Sequence, residues 1–510
     1  MLAKVHSYVL QGIDAINCEV EVDMAPALEA EASIVGLADT AVRESMDRIR
    51  SAMANSGFVF PDAKILVNLA PADVRKEGSA LELPIALGIL VVARAITTEK
   101  HRRYMVAGEV ALDGRIRPIK GALSLAMLAS ERGMLGVLVP PDNTAEAAVV
   151  PGLEVIAIDS LAALVGFLNG TLEREPVQAD HDAPELPVDG YDVDFADVRG
   201  QELAKRALTI AAAGRHNLLL LGPPEAGKTM LCSRLPTILP PLTRQEALET
   251  TRIYSAVGML PKGQSLVRTR PVRSPHHTAS AAAIIGGGAI LRPGEVSLAH
   301  HGVLFLDELP EFPRPVLEVL RQPLESGTVT ISRAHGSMQF PARFMLVAAM
   351  NPSHSGQGTF DPRLATATQT AAMDRYLSRL SGPLLDRIDI HLEVPAVTYR
   401  DLTSKTKGTS SAEMRADVQK ARAAQARRFG AESTLSNASM RSNQLDTICP
   451  LDDDCKLLLK QAMEEMGLSA RAFDKVRRVA RTIADLEGSE TLKPHHISEA
   501  VQYRLLDRKR

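Results

Sequence analysis

Residues 222–229 read Gly-Pro-Pro-Glu-Ala-Gly-Lys-Thr, directly after the apolar run Leu218–Leu221. The spacing Gly-x-x-x-x-Gly-Lys-Thr demands a buried strand, a tight glycine-bounded turn and a helix start. The backbone amides of such a turn point inward and cradle an anion, and the helix dipole adds to the cradle. The expected phosphate cradle comprises Gly222, Pro223, Pro224, Glu225, Ala226, Gly227, Lys228, Thr229 and Met230. Lys228 reaches the outer phosphates and the Thr229 hydroxyl ligates magnesium, so ATP and Mg2+ are the expected cofactors. Glu225 is the least ordinary member. Glycine is favoured where φ must be positive, and a carboxylate aimed at the phosphates is unfavourable whereas one aimed outward costs little, so ATP binding is expected to survive, with weaker affinity left open.

Two further apolar runs end in polar groups. Val-Leu-Phe-Leu at 303–306 is followed by Asp307 and Glu308. A strand end beside the phosphate loop supplies the magnesium carboxylate, Asp307, and a general base for water, Glu308. The run 344–350 ends in Asn351, an amide placed to orient water near a γ-phosphate. In Ser-Gly-Pro-Leu-Leu-Asp-Arg at 381–387, Arg387 is the candidate arginine finger toward a neighbouring subunit, with Arg379 in reserve. Arg471, at a helix start, is expected to fold over the nucleotide as a second sensor. Arg477 and Arg481 are expected on a solvated basic face of the same helix.

At 510 residues the chain exceeds one ordinary core. An acidic, proline-containing stretch, 173–194, reads as a solvated linker. It separates a domain at 1–172 from a phosphate-loop α/β domain at 195–397. Beyond Val394 strand signals vanish, and 398–510 reads as all-helical, with helices at 411–429, 452–466, 470–486 and 493–504. The first domain alternates strands (19–23, 64–69, 105–111, 137–140, 155–158) with helices (39–56, 81–95), a mixed α/β or α+β pattern. Four scattered cysteines show no zinc-ligand spacing, and no apolar stretch is long enough to cross a bilayer. A cytoplasmic protein without membrane contact is expected.

Net charge of −3 gives no global nucleic-acid signature, so DNA must be met by local patches. Arg268, Arg270, Arg273, His276 and His277 precede the triplet Gly286-Gly287-Gly288. A glycine-rich loop beside basic residues suits a pore that tracks a phosphate backbone. Residues 328–340 read as a β-hairpin with Arg333 and His335 at its tip. Aromatic residues total 4%, so grip is expected to be phosphate-directed and sequence-independent.

These motifs in this order resemble the AAA+ ATPases, and more narrowly the bacterial magnesium-chelatase-like YifB/ComM group. The most specific stretches are Arg-Ser-Pro-His-His-Thr-Ala-Ser at 273–280, Arg-Pro-Gly-Glu-Val at 292–296, the 303–308 run and Ser-Gly-Pro-Leu-Leu-Asp-Arg-Ile-Asp at 381–389. Phe195 to Gln201 resembles the adenine-side segment. The resemblance implies a ring, a homo-hexamer, with ATP between subunits, and a helical lid domain. For ComM-type members it implies a DNA helicase acting on branched DNA, with recombination proteins nearby, during integration of incoming DNA in natural transformation. The alternative it leaves open is a chelatase-type motor that remodels a protein partner.

The stretch 108–119 and Lys-Glu-Gly-Ser-Ala at 76–80 resemble the Lon protease domain. In an ungapped match the serine of the Lon dyad falls on Ala80 and the lysine on Leu123. Ser79 and Lys120 are offset, so a non-peptidase Lon-like α+β domain is expected. Relatives carry cysteines after the Asn-Pro at 351–352, whereas this chain has Ser353 and Ser355 flanking His354. Serine is a poor zinc ligand, so no zinc is expected there.

Overall fold

The computed structural model describes residues 1–26, 31–178, 191–288, 291–333, 336–351, 376–397, 408–430 and 433–507. The chain forms two compact units, one of Met1–Pro184 with Ala247–Val267 and one of Glu185–Glu246 with Arg268–Arg510.

The first unit is built on a seven-stranded mixed sheet. Its strands are β1 (Leu2–Gln11), β2 (Asp14–Ala25), β3 (Glu31–Val35), β4 (Lys64–Ala70), β5 (Tyr104–Val106), β6 (Gly136–Val139) and β7 (Glu154–Ala157), in the order β3-β4-β2-β1-β5-β6-β7. β1, which the sequence reading omits, is central. It alternates buried Ala3, Val5 and Ser7 with less buried Lys4 and His6, the period of a half-covered strand, and is then buried on both faces at Ser7–Val9. Residues 105–111 do not form one strand. β5 ends at Val106, and Glu109–Val110 pairs instead with Ile116–Arg117. Helix α1 (Thr40–Asn55) is capped by Asp39, and α2 (Glu82–Val92) is buried along its whole length.

Ala247–Val267 lies far along the chain from the rest of this unit. Gly121 donates its amide to Ser255 O at 3.0 Å, and Ser255 also bonds the buried carboxylate of Glu146. Arg252 pairs with Asp14, and Lys262 with Asp142 at 2.8 Å. Composition gives no hint of this return, because a segment's partners are not encoded in its own periodicity. The acidic stretch is also pinned at its ends. Val177 donates to Val155 O at 2.8 Å, and Asp194 accepts from Ala196 N and Ser411 N.

The second unit has a five-stranded parallel sheet. Numbered onward, β8 is Leu218–Leu221, β9 Val272–Arg273 and β10 Val303–Leu306. A separate antiparallel hairpin is formed by β11 (Thr328–Arg333) and β12 (Gly336–Pro341), followed by β13 (Met345–Met350) and β14 (Ile390–Glu393). The sheet order is β9-β10-β13-β8-β14. β8, β10 and β13 are buried on both faces, which explains their unbroken apolar runs.

Helix α3 (Glu202–Gly214) and the C-terminal helices α4 (Ser411–Phe429), α5 (Asp453–Met466), α6 (Ala470–Glu487) and α7 (Pro494–Gln502) share one hydrophobic core with the sheet. Leu218, Leu220, Val347 and Ala349 meet Val418, Val476, Ala480 and Ile483 in that core. Ser410 and Glu413 form a capping box that starts α4, and Ser469 caps α6, which stops at left-handed Gly488.

The basic face expected of α6 is not solvated. Arg477 is buried on Asp446 and two carbonyls, and Arg481 is buried on Asp485, Glu490 O and Ser489 O. Helix neighbours supply acceptors that helical spacing alone does not reveal. No helix among the described residues is long and apolar enough to cross a membrane.

Asp389, just before β14, ties α6 to the sheet. It accepts from Asn217 N at 3.0 Å and pairs with Lys475 at 3.1 Å. Burial alone would raise its carboxyl pKa, but Lys475 and His216 hold it well below the usual range. A depressed carboxyl contributes stability above the unfolded pKa of about 4 and loses it as pH falls through the lower folded value. Asp389→Asn should therefore cost about 3–5 kcal/mol at neutral pH, by stranding buried Lys475. It should also flatten the acid limb of the denaturation profile. An unchanged denaturation midpoint would contradict this role.

Candidate active site

Parallel register sets the site. Leu221 of β8 pairs with Met350 of β13, and Leu306 of β10 pairs with Ala348. The three strands therefore end side by side, where chain direction places ligands in open α/β sheets. The 222–229 turn follows β8, and helix Lys228–Arg234 starts at left-handed Gly227.

Lys228 is buried and its ammonium donates to Gly222 O and Pro223 O, both at 2.7 Å, and to Asn351 Oδ1 at 3.0 Å. Burial lowers its pKa, opposed by the charge of Asp307. Thr229 Oγ1 donates to Asp307 Oδ2 at 2.8 Å, and Asp307 Oδ1 accepts from Glu308 N at 2.9 Å. The structure thus joins Lys228, Thr229, Asp307 and Asn351 in one hydrogen-bonded group, with Glu308 next to it. A hydroxyl and a carboxylate side by side at the mouth of an amide cradle are hard oxygen donors that fit Mg2+ beside a phosphate.

Two non-glycine residues of the site have left-handed backbones, Glu225 at φ 65° and Glu308 at φ 51°. Such conformations gather at functional sites. The Glu225 side chain is exposed. Gln201, at φ 57°, donates to Pro395 O at 2.8 Å, which fixes the segment beginning at Phe195 beside the loop. His277 Nδ1 lies 3.3 Å from Glu308 Oε2, with its ring against His276 at 4.1 Å and edge-on to Phe312. Spacing gave no sign of this contact, because the two residues come from different strand ends.

The arginines divide. Arg379 sits on the nucleotide side, 3.0 Å from Glu311 and donating weakly to Pro310 O. Arg387 is at the opposite end of the sheet, where its carbonyl accepts from Asn217 Nδ2 and its guanidinium pairs with Glu325 at 2.5 Å. β8 alone separates the ends by about 13 Å. Arg471 does not fold over the phosphate loop of its own chain. It lies 3.6 Å from Asp386, at the same end as Arg387, because α6 packs toward the strand N-termini.

The residues expected on DNA are distributed differently from the sequence reading. Arg273 is held bidentately by Glu295 at 2.6 and 2.8 Å, and Arg270 is buried on Glu246 and three carbonyls. His277 faces Glu308, and His276 bonds Thr278. Arg273, Arg270 and His277 thus each have a partner within the chain that lies on another element. Arg333 ends β11, while His335 lies outside the described residues, as do Ser353, His354 and Ser355. Gly286 stands where a Cβ would meet Arg292 O at 2.2 Å and the Ile331 side chain at 2.8 Å, so a small Gly286–Gly287 hairpin abuts β11. Arg292 on that hairpin is exposed, a position the sequence reading did not single out as a contact.

Glu487, His495 and His496 converge elsewhere, but His496 Nδ1 accepts from Lys493 N, so its Nε2 carries the proton aimed at Glu487. That is a hydrogen-bond network and not a metal-ligand set.

Models of the magnesium chelatase subunit ChlI family match residues 194–402, residues 20–143 and, for its C-terminal part, residues 408–504. The YifB protein of Escherichia coli is 44% identical over 512 residues, covering 99% of this chain and 98% of the relative. Competence protein ComM of Haemophilus influenzae is 43% identical over 511 residues, with the same coverage. The chain belongs to the magnesium-chelatase-like YifB/ComM family. The magnesium-chelatase 38 kDa subunit of Rhodobacter capsulatus is 27% identical over 226 residues, 41% of this chain and 60% of the relative. Membership in this family implies an AAA+ ATPase that uses ATP and Mg2+, and the phosphate-loop geometry suits both.

Glu225→Gly removes a left-handed glutamate worth roughly 1 kcal/mol of strain. ATP affinity in equilibrium binding should be unchanged or tighter, and turnover retained. Loss of ATP hydrolysis on this change would contradict the geometry given for the loop.

Proposed function

We propose that this protein is a cytoplasmic ATP-driven DNA motor working as a ring, with a hexamer as the assembly, and that it drives branch migration as incoming DNA is integrated. The carrying observation is the separation of the two halves of the hydrolysis machinery. Lys228, Thr229, Asp307, Glu308 and Asn351 gather at one end of the sheet, and Arg387 and Arg471 at the other. One chain cannot bring both to one phosphate, but a neighbouring copy can.

In this reading the loop amides and Lys228 hold the β- and γ-phosphates, and Glu308 polarises the attacking water. Thr229 and Asp307 would hold Mg2+, which would neutralise phosphate charge when bound. Asn351 orients water, and Arg387 from the next copy stabilises the charge that develops on the transferred phosphoryl group. His277 holds Glu308 until substrate draws the carboxylate toward water. The DNA assignment draws support from the similarity to a competence protein and from the paired hairpins at 286–293 and 328–341. Arg292 and Arg333 are the assigned backbone contacts, and the expected partners include recombination proteins.

The first unit is proposed as a Lon-like domain without peptidase activity. Ser79 Oγ donates to Glu109 Oε2 at 2.5 Å, so its hydroxyl is committed to a carboxylate and not to a lysine. A second reading, a chelatase-type motor acting on a protein partner, is favoured by the similarity to the magnesium-chelatase subunit.

Arg387→Ala should retain ATP binding but lose on the order of 10³-fold in turnover. Mixing it with Lys228→Ala chains should restore part of the activity, since each supplies what the other lacks. No recovery in the mixture would refute a shared site. ATPase rate should rise with forked or branched DNA and fall back with salt. A rate indifferent to DNA, with no unwinding of branched substrate, would favour the chelatase-type reading.

A further inference from the structure

At the N-terminal edge of the parallel sheet, the second unit has a half-open cleft of about 570 Å3. This is the opposite end from the phosphate loop. The volume is that of a small-ligand site, and its walls carry eight Arg and Lys side chains against the four carboxylates of Glu325, Asp386, Asp389 and Asp474.

Some of that charge is neutralised. Arg215 and Arg270 share the single carboxylate of Glu246. Burial would raise the pKa of Glu246, but these two guanidinium groups hold it far below the ordinary value. Lys475 has Asp389 and Arg387 has Glu325.

Three cations are left over. Among the described residues, the Arg343 guanidinium reaches the Thr434 hydroxyl at 3.3 Å and no carboxylate. Arg422 donates to Ala212 O, and its Nε is buried without an acceptor. Arg478 also has a buried Nε without an acceptor. Among the described residues no carboxylate lies within ion-pair distance of these three. Burial and then the like charges of Arg215 and Arg270 push the Arg422 pKa well down. They come from separate elements, Arg343 from the turn before β13, Arg422 from α4 and Arg478 from α6, yet all line one cavity. Arg478 lies one heptad beyond Arg471, on the same side of α6.

Arg422 and Arg478 are half-buried and Arg343 is exposed at the cavity rim, and guanidinium groups without a carboxylate at half-buried positions are unfavourable to the fold. Their geometry suits oxyanions, since each guanidinium presents a planar fork of donors. We infer that the cavity is a second phosphate site, which binds the oxyanions of an oligophosphate through Arg478, Arg422 and Arg343. The oligophosphate has two sources, the triphosphate carried on a neighbouring copy's phosphate loop or a free one in solution. The first source rests on the ring reading above, and the second does not.

The test uses full-length protein bearing Lys228→Ala, which silences the phosphate loop, and inorganic tripolyphosphate as probe in titration calorimetry. One binding event is expected, weakened at least tenfold by Arg478→Gln and less by Arg478→Lys. Arg478→Gln should leave the thermal midpoint unchanged or raise it, because it removes a cation with no partner. Absence of tripolyphosphate binding to the Lys228→Ala protein, or binding indifferent to Arg478→Gln, overturns the inference. Either result leaves ATP hydrolysis by the native chain unaffected, so the ring reading stands or falls separately. A lowered midpoint in Arg478→Gln with binding intact also overturns it, since Arg478 would then be structural. Where binding is confirmed, ATPase assays assign the source. Arg478→Gln chains that hydrolyse slowly alone and recover when mixed with Lys228→Ala chains identify the neighbour's triphosphate. Arg478→Gln chains with native turnover identify a free oligophosphate.

Discussion

The parallel pairing of β8 between β13 and β14 is the constraint on which the rest depends. Parallel strands point their ends the same way, so one end of this short sheet gathers the phosphate loop, Asp307 and Asn351. The other end gathers Asn217, Asp389 and Arg387. Four buried leucines hold the register, and a one-residue slip would carry Lys228 away from Asn351 and Thr229 away from Asp307. The same pairing forbids both ends from serving one phosphate in one chain.

Charge is managed differently at the two ends. At the phosphate end Lys228 rests on carbonyl oxygens and an amide, neutral acceptors from which an ammonium is readily drawn by phosphate. At the far end, buried carboxylates anchor cations that shape the docking of the C-terminal helices, as Asp389 does for Lys475. Arg343, Arg422 and Arg478 exceed that supply. Fold and site are coupled here, because α6 positions Arg471 and Arg478 while packing Val476, Val479 and Ile483 into the core.

Much of the C-terminal fold was legible because its signals are local. Caps at Ser410, Asp452 and Ser469 start the helices, and Gly467 and Gly488 stop two of them. The first unit was less legible. The alternation of β1 breaks at Ser7–Val9, three consecutive buried residues, and the return of Ala247–Val267 depends on partners such as Glu146 and Asp14 more than 100 residues away. Arg477 and Arg481 misled because a helical face of arginines looks the same in sequence whether water or carbonyls face it.

The sequence by itself determined the strand, turn and helix of the phosphate loop, the carboxylates at 307 and 308, and the family, since each rests on contiguous residues whose spacing dictates one backbone path. Only the tertiary structure decided which cations are spoken for. It gave Arg273 to Glu295 and His277 to Glu308, placed Arg471 at the same end as Arg387, and left Arg478 with no carboxylate at ion-pair distance among the described residues. The physical reason is range. Backbone geometry is settled within a few residues, whereas the partner of a charge is chosen by whichever element packs against it.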